Sequence, residues 1–332
     1  MKALVYTQPK ELQLQEVTPP ALVDGEVVLE IEAVGICGSD MHAWAGHDPR
    51  RKPGLVLGHE FVGRVVASSV DEVQKGTRWT GNPLITCGVC DYCVQGRNNL
   101  CSDRTMVGMT RAGAYAQQMS IPVSSLIAIP QTMSARAAAL TEPAATAWHA
   151  INLSARALFR PLHECRVLVM GGGAIGILAA LLFKRLGVSQ LVVSETNALR
   201  RDTVSKAVGC EVVDPIHDAL PGAFDHVFDA VGAKVTRQQA LEVIKPGGVI
   251  MHVGLQDWAS EIDMRKLTLA EVTLLGTYTY TTADLRATVA ALDRGELGDL
   301  SWVEERSLAQ GPQAFLDLAS GASAAPKILL RP

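Results

Sequence analysis

One strand–turn–helix segment constrains the fold of this 332-residue chain more than any other feature. The apolar run Val167–Met170 is followed by glycines at Gly171, Gly173 and Gly176, and then by apolar residues at helical spacing. In such a G-x-G-x-x-G pattern the first glycine permits a tight turn, the second admits close backbone approach, and the third allows helix–strand packing. The segment therefore predicts a strand that turns directly into a helix.

Short strand-like runs alternate with helical patterns from residue 166 to residue 276, which is the periodicity of βαβ units. The strand-like runs are Arg166–Met170, Gln190–Ser194, Glu211–Val213, His226–Asp229, Val249–Val253 and Val272–Gly276. The helical patterns are Ile175–Leu186, Ala198–Val208 and Val235–Ile244. This alternation predicts an α/β fold built on a doubly wound parallel sheet.

The glycine turn also predicts a ligand. Backbone N–H groups at the start of a helix bind phosphate, so a glycine fingerprint between a strand and a helix is typical of dinucleotide-binding sites. The residues that would surround the pyrophosphate are Gly171, Gly173, Ala174, Ile175 and Gly176.

The residues after the later strands refine the choice of cofactor. Glu195 ends the next strand-like run, where a carboxylate accepts hydrogen bonds from the adenosine ribose and repels a 2′-phosphate. Arg200 could reach toward such a phosphate, or it could be a solvated cation on its helix. Val231, Val253 and Gly254 lie in loops that we expect to line the cofactor cleft. The pattern favours NAD, with NADP as the alternative.

The rest of the chain has a different pattern. Before residue 146, alternating runs such as Val27–Val34 and Phe61–Val66 are separated by Gly, Pro and Asp, which indicates a β-rich domain with long loops. Two helix-like stretches near the end, Ala283–Arg294 and Gln310–Ala319, precede the strand-like Lys327–Arg331. We expect this last strand to return to the first domain.

Four of the seven cysteines crowd into one turn-rich loop: Cys87, Cys90, Cys93 and Cys101. Four thiolates form the tetrahedral site of a structural zinc ion, and they favour zinc or iron–sulfur over magnesium or calcium. The alternatives are an iron–sulfur cluster and unliganded or disulfide-paired cysteines. Because a closed site has no open coordination position, we expect it to stabilise a loop and to perform no chemistry.

A second set of metal-ligating residues is spread over three segments. The stretch GICGSDMHAW contains Cys37, Ser39 and His42, LGHEF supplies His59 and Glu60, and TEPAATAWH supplies Glu142. A catalytic zinc takes three protein ligands and keeps one position for water or substrate, and Cys, His and carboxylate side chains are all suitable. Each segment alone has an ordinary structural interpretation, and their combination indicates a catalytic metal site.

In this order, C-G-S-D-x-H, G-H-E, the four-cysteine loop, E-P and G-G-G-A-I-G resemble the zinc-dependent medium-chain alcohol dehydrogenase superfamily. The chain is most similar to its sorbitol, threonine and galactitol dehydrogenase branch, over nearly its whole length. The resemblance implies a β-rich, GroES-like catalytic domain at 1–146, completed by 279–332, and a Rossmann NAD-binding domain at 147–278. It also implies a homodimer or homotetramer.

The resemblance assigns roles to the residues of the second set. It implies that Cys37, His59 and Glu60 bind zinc, and that Glu142 binds it directly or through water. It further implies a proton path from the substrate through Ser39 and the cofactor ribose to His42, which faces solvent. Resembling enzymes that use NAD carry an arginine near the adenosine at the position of Arg200.

The expected reaction is hydride transfer between NAD(H) and a secondary alcohol or polyol, giving the corresponding ketone. Candidate pocket residues are Trp44, Tyr115, Tyr278 and Tyr280. Sorbitol dehydrogenases carry arginine where this chain has Thr279, so a sorbitol-like binding mode is not expected. Diols and threonine-type amino alcohols are the alternative substrates. The rival functions are a zinc-free quinone reductase, which would not need these ligand sets, and a non-catalytic NAD-binding sensor.

Composition excludes several classes of partner. The net charge is −4, and no block of Lys or Arg is present, so we expect no nucleic-acid partner. The N-terminus lacks the apolar stretch of a signal peptide, and the longest apolar run is broken by three glycines. We therefore expect a cytoplasmic protein without a membrane span, acting on a small-molecule alcohol or ketone.

Overall fold

The computed structural model describes residues 1–332 as strands β1–β18 and helices α1–α10. The strands are β1 Lys2–Gln8, β2 Glu11–Glu16, β3 Glu26–Gly35, β4 Leu55–Val56, β5 Glu60–Ser68, β6 Arg78–Gly81, β7 Leu84–Ile85, β8 Thr105–Met106, β9 Gln118–Pro122, β10 Leu126–Ala128, β11 Arg166–Met170, β12 Gln190–Ser194, β13 Glu211–Val213, β14 Phe224–Asp229, β15 Ile244–His252, β16 Thr273–Gly276, β17 Val303–Ser307 and β18 Lys327–Arg331. The helices are α1 Gly38–Trp44, α2 Asp91–Val94, α3 Ala135–Ala139, α4 Thr141–Ala155, α5 Ala174–Arg185, α6 Ala198–Val208, α7 Lys234–Val243, α8 Met264–Leu269, α9 Thr282–Asp293 and α10 Gly311–Ser320. Four short 3₁₀ turns complete the set, at Asn98–Leu100, Val123–Ser125, Leu162–Glu164 and Leu308–Gln310.

Strands β11–β16 form one six-stranded sheet in the order β13-β12-β11-β14-β15-β16, and every neighbouring pair is parallel. This is the doubly wound order 3-2-1-4-5-6, which has its topological switch point between β11 and β14. A hydrophobic core lies on each face of this sheet. The strands carry apolar residues at consecutive positions, and these point alternately to the two faces, as is usual where helices cover both sides of a sheet. The predicted α/β fold with a Rossmann sheet is confirmed.

The β-rich part is built around β3, a ten-residue strand at the centre of a mostly antiparallel seven-stranded sheet. Strand β3 pairs with β5, with β9 and with the C-terminal strand β18, which places Leu330 opposite Val34. The expected return of the last strand to the first part of the chain is therefore observed. Strand β17 extends the sheet by pairing in parallel with β18.

Helix α4 connects the two parts. It packs against α5 and α9, and also against β5 of the β-rich part. The largest hydrophobic core includes Ala33 and Val62 from the β-rich part together with Val167 and Phe228 from the parallel sheet. We propose the division into 1–146 with 279–332 and 147–278 as domains, which makes α4 the shared element between them. No helix of the structure is both long and apolar enough to cross a membrane.

Candidate active site

Three metal-ligating side chains meet where β3 ends and β5 begins. Strands β3 and β5 are antiparallel with Gly35 opposite Glu60, so the residues that follow β3 lie beside the start of β5. One ligand atom each from Cys37, His59 and Glu60 lies within 4.8 Å of the others. Gly35 is required here because a Cβ at this position would collide with the Glu60 carboxylate.

The Asp40 carboxylate lies beside the Nδ1 atom of His59. It is 3.5 Å from this nitrogen and accepts a hydrogen bond of 2.7 Å from the Tyr115 hydroxyl. Burial raises the pKa of Asp40, but His59 and Arg51 outweigh burial and bring it to about 2. A carboxylate on Nδ1 orients an imidazole so that Nε2 faces a metal, as in the carboxylate–histidine–zinc arrangement.

Glu60 is held by a buried lysine. Lys327 Nζ donates to both carboxylate oxygens, at 2.7 and 2.6 Å, and to the carbonyl of Ile36 at 2.8 Å. Both side chains are 1% exposed, so the pair has almost no contact with water. Burial lowers the pKa of Lys327, but Glu60 and Cys37 raise it more, and the ammonium stays charged.

Glu142 lies on the first turn of α4 and faces the same region. It accepts a hydrogen bond of 2.7 Å from the hydroxyl of Tyr280, which is fully buried. Burial raises the pKa of Glu142 to about 7, and the nearby Glu60 also raises it. Glu142 is outside the group of three whose ligand atoms lie within 4.8 Å of one another.

The donor set of this site fits a zinc ion. A thiol, an imidazole and a carboxylate are the ligand types that zinc prefers, and three ligands leave a position free for substrate. Burial lowers the pKa of His59, but the neighbouring Asp40 and Cys37 outweigh it and raise this pKa well above the usual value, so the site favours positive charge at the imidazole. The same surroundings favour a bound cation.

Ser39 and His42 lie on α1 at the edge of a cleft of about 530 Å³. The opposite wall of the cleft comes from the parallel sheet and includes His252 and Leu255. Burial lowers the pKa of His42, and His47 lowers it further, so the imidazole is neutral and able to accept a proton near pH 7. The structure thus places both predicted relay residues between the two parts of the chain.

The four loop cysteines also converge. Their sulfurs lie within 4.8 Å of one another and all four thiols are free. The Sγ atoms of Cys87 and Cys101 are 3.6 Å apart, which is too far for a disulfide bond. The backbone N–H of Cys90 donates to Cys87 Sγ at 3.3 Å. We call residues 87–101 the cysteine lobe.

The glycine turn has the geometry that its sequence predicts. Gly171 has φ +94°, and α5 begins at Ala174 with Ile175 in its first turn. A Cβ at Gly176 would collide with the Gly171 carbonyl, whereas a Cβ at Gly173 would meet no atom within 4 Å. The open space at Gly173 leaves room for a ligand at the helix start.

Glu195 contacts this turn directly. Its carboxylate accepts hydrogen bonds from the N–H groups of Gly172, at 2.8 Å, and Asn197, at 2.7 Å, and the side chain is buried. Arg200 lies on α6 with a buried Nε that has no hydrogen-bond partner. An anionic side chain is therefore fixed beside the glycine turn, with one unpaired cation nearby.

The remaining predicted cofactor residues lie at the carboxyl ends of β14 and β15. Val231 contacts the position where Gly171 would carry a Cβ, and Gly254 packs against the Val231 backbone. The N–H groups of Val253 and Gly254 both donate to the Asp229 carbonyl at 3.0 Å. These loops meet at the switch point, where doubly wound sheets bind ligands.

The aromatic residues predicted to line the substrate pocket lie in different surroundings. Trp44 packs on Phe315 in the β-rich core, and Tyr115 braces Asp40, so neither is free to bind substrate. Tyr278 is half-exposed, and the Arg104 guanidinium stacks on its ring at 4.8 Å. Thr279, between the two remaining tyrosines, has φ +45°, which is a strained conformation for a β-branched residue.

Sequence reasoning missed three charged residues of the site: Asp40 as the partner of His59, Lys327 as the partner of Glu60, and Arg51. The sequence offered a signal for Lys327, which directly precedes the apolar run Ile-Leu-Leu. If that run is a strand inside a sheet, the lysine at its start is buried with it and needs an acidic partner. No signal distinguished Arg51, which is buried, from Arg50, which is exposed.

Comparison with known proteins agrees with both parts of the architecture. Residues 23–131 match the alcohol dehydrogenase GroES-like domain, and residues 174–294 match the zinc-binding dehydrogenase family. The chain is 30% identical to L-galactonate-5-dehydrogenase of Escherichia coli (strain K12) over 308 residues, which cover 90% of this chain and 88% of the relative. It is 33% identical to L-threonine 3-dehydrogenase of Chelativorans sp. (strain BNC1) over 293 residues, 84% of this chain and 83% of the relative. A Sinorhizobium meliloti 1021 chain assigned to the zinc-binding dehydrogenases and bound to NADP superposes with a TM-score of 0.88 at 29% identity, over 100% of this chain and 99% of that one.

Proposed function

We propose that this chain, which belongs to the zinc-binding dehydrogenases of the medium-chain alcohol dehydrogenase superfamily, interconverts a secondary alcohol and its ketone with zinc and NAD. Membership of this family makes the chain an oxidoreductase. The observation that carries the proposal is the convergence of Cys37, His59 and Glu60 beside Ser39. A zinc ion bound there would lower the pKa of a substrate hydroxyl, and the nicotinamide would accept the hydride.

The residues of this chain perform the supporting steps. Cys37, His59 and Glu60 would hold the zinc ion, and Glu142, which lies outside this group, would exchange with Glu60. Ser39 Oγ accepts the proton of the substrate hydroxyl as it releases its own, and His42 at the rim of the cleft passes a proton on to solvent.

We propose that the substrate hydroxyl belongs to a polyol or sugar acid, because one relative is named for L-galactonate. An amino alcohol is the second candidate, since several relatives of similar identity are named for L-threonine. The cysteine lobe would bind the structural zinc ion. We also propose a homodimer or homotetramer, as the family resemblance implies.

The test is a substrate panel read by the absorbance of reduced nicotinamide. Zinc-replete protein is incubated with NAD or NADP and with polyols, sugar acids, diols and L-threonine. We expect turnover of at least one secondary alcohol, and its loss after chelation and return with zinc. Turnover that is insensitive to chelation would indicate a zinc-free reductase, and silence across the panel would indicate a cofactor-binding protein without activity.

The choice of NAD depends on Glu195, whose buried carboxylate lies at the glycine turn. We expect a kcat/KM for NAD at least about tenfold above that for NADP, since a 2′-phosphate would face this anion. Glu195→Gln keeps the size of the side chain and removes its charge, so it should bring the kcat/KM for NAD closer to that for NADP. Glu211→Gln, on the neighbouring strand β13, is the control and should leave the ratio of the two values unchanged. A wild-type preference for NADP would contradict the proposal and make Arg200 the residue to test.

A further inference from the structure

Arg51 is a fully buried arginine at the edge of the candidate active site. Its guanidinium donates to the Gly108 carbonyl at 3.1 Å and to Asp48 Oδ2 at 2.7 Å. It also donates to both oxygens of Ser39, the carbonyl at 3.3 Å and Oγ at 3.1 Å. A carboxylate oxygen of Asp40 lies 3.7 Å away. One guanidinium thus connects α1, the loop that follows it and the loop around residue 108.

The bond from Arg51 to Ser39 Oγ has a consequence for the hydroxyl proton. A serine hydroxyl has one donor and two acceptor lone pairs. Arginine has five donors and no acceptor, so Ser39 cannot donate to Arg51. Ser39 Oγ makes no other hydrogen bond, so its proton and its second lone pair both remain available, and Ser39 lines the cleft. A proton relay needs both the hydroxyl proton and the free lone pair, because the oxygen must accept one proton while it releases another.

We propose that Arg51 is a positioning residue for proton transfer, which fixes the Ser39 hydroxyl in the orientation that serves the cleft. The inference rests on the proposed function, since Ser39 transfers a proton only if the chain oxidises an alcohol or reduces a ketone there. Arg51 borders the same cleft as Ser39, but its side chain has no exposed surface, so it acts through Ser39.

The neighbouring arginine shows that the role is not shared. Arg50 also binds Asp48, through Nε at 2.8 Å and Nη2 at 2.9 Å, but its side chain is 64% exposed and makes no bond to Ser39. The Asp48 carboxylate, which both arginines bind, partly neutralises the positive charge of Arg50 and Arg51. The difference lies in geometry, because only a planar guanidinium at residue 51 reaches acceptors on three residues at once.

A double-mutant cycle tests the inference. Arg51→Lys keeps the charge and loses the planar fork. We expect it to lower kcat by at least about tenfold, as expected when one proton-transfer step is impaired, with the KM for cofactor changed by less than about threefold. In a Ser39→Ala background the same substitution should lower kcat by less than about twofold further, because coupled residues are not additive. Equal losses in both backgrounds, or no loss in either, would overturn the inference.

Arg78→Lys is the matched control. Arg78 is also largely buried and bonds to Glu32 and to the Met133 carbonyl, far from Ser39. We expect both lysine variants to lower the melting temperature of metal-free protein, and only Arg51→Lys to lower kcat. Should Arg51→Lys fail to fold, Asp48→Asn removes an anchor of Arg51 without touching Ser39 and enters the same cycle.

Crystal structures of wild type and Arg51→Lys give a result that does not depend on turnover. We expect Ser39 Oγ to leave its wild-type rotamer in the variant, and an unchanged rotamer would overturn the inference. If wild type turns over no substrate while Ser39 rotates in the variant, the proposed function fails and takes the role in proton transfer with it, although Arg51 still orients the Ser39 hydroxyl. If wild type is active while the rotamer and kcat of the variant are unchanged, the positioning role fails alone.

Discussion

The two clusters of metal-ligating residues differ in what holds them together. Around Cys37, His59 and Glu60, charged or polar partners from distant parts of the chain fix the ligands: Asp40 behind His59, and Lys327 on Glu60. In the cysteine lobe all four ligands come from one loop, and backbone N–H groups and neighbouring thiols are the recorded partners of their sulfurs.

This difference teaches that the fold builds the first cluster, whereas the proposed metal of the lobe would have a larger part in building the second. Buried charge pairs hold the side chains of the first cluster in place without a metal. Asn99 and Arg104 bond to backbone carbonyls at the lobe, but no charge pair holds its sulfurs, so a zinc ion bound there would supply much of its stability, as in small zinc-binding domains. Removing a ligand should therefore cost activity at the first cluster and stability at the second.

The largest expected effect is the loss of activity in Cys37→Ala. Removing one of three proposed ligands should lower kcat/KM by at least about 10³-fold, because a catalytic metal supplies several kcal/mol and each 1.36 kcal/mol is tenfold. The melting temperature of metal-free protein should change little, since Glu60 and Lys327 keep their ion pair. Steady-state kinetics, zinc analysis and thermal unfolding measure the three quantities. Cys210→Ala, in the turn before β13, is the control and should keep full activity. Wild-type turnover and zinc content in Cys37→Ala would show that Cys37 is not a ligand.

Lys327→Met tests whether buried charge pairs build the first cluster. Breaking a buried pair leaves Glu60 uncompensated, which should lower the free energy of unfolding of metal-free protein by about 3–5 kcal/mol. Added zinc should stabilise this variant more than it stabilises wild type, because the carboxylate regains a cationic partner. Chemical denaturation with and without zinc measures both effects. Lys245→Met removes a half-exposed pair with Asp225 and should cost less than about 1 kcal/mol; equal losses in the two variants would contradict the comparison.

The sequence was sufficient to select the candidate metal-ligating residues and to predict a doubly wound parallel sheet, but not to predict the partners of those residues. Cys37, His59 and the lobe cysteines lie in short motifs, and the strands of the parallel sheet carry a clear apolar periodicity. Lys327 is 267 residues from Glu60, and only the pairing of β18 with β3 brings them together. No local pattern encodes such a distance, so the contact follows from tertiary structure.

Helices α3 and α4 were also not predicted, for a physical reason. Both are rich in alanine, and α4 is buried along most of its length between the two parts of the chain. A helix that is covered on several sides lacks the polar stripe that makes helical periodicity visible. Glu142 on α4 was found from its motif alone, and its hydrogen bond with Tyr280 could not be predicted.

Cys101→Ser tests the lobe. Cys101 is the buried member of the four and lies beside Cys87. Losing one of four ligands should lower the melting temperature by about 3–4 °C, which corresponds to roughly 2–3 kcal/mol in a chain of this size. Limited proteolysis should cut the lobe faster than in wild type, while kcat at low temperature should stay within about threefold. A variant that keeps its stability and loses its activity would reverse the roles assigned to the two clusters.

The smallest expected effect concerns the reactivity of the lobe once its metal is removed. Hydrogen bonds from the N–H groups of Val89 and Cys90 lower the pKa of Cys87 to about 7, whereas burial raises the pKa of Cys210 to about 11. The thiolate is the reactive form, so the alkylation rate of Cys87 should rise with pH through about 7 and level off, while that of Cys210 stays low. Iodoacetamide labelling of chelated protein, followed by peptide mass spectrometry, should show Cys87 modified at least about 100-fold faster at pH 7. Zinc should suppress the labelling of Cys87 and leave that of Cys210 unchanged, because a bound thiolate is protected. Labelling of Cys87 that is equally fast with and without zinc would show that the lobe binds no metal and would leave the first cluster as the single proposed metal site.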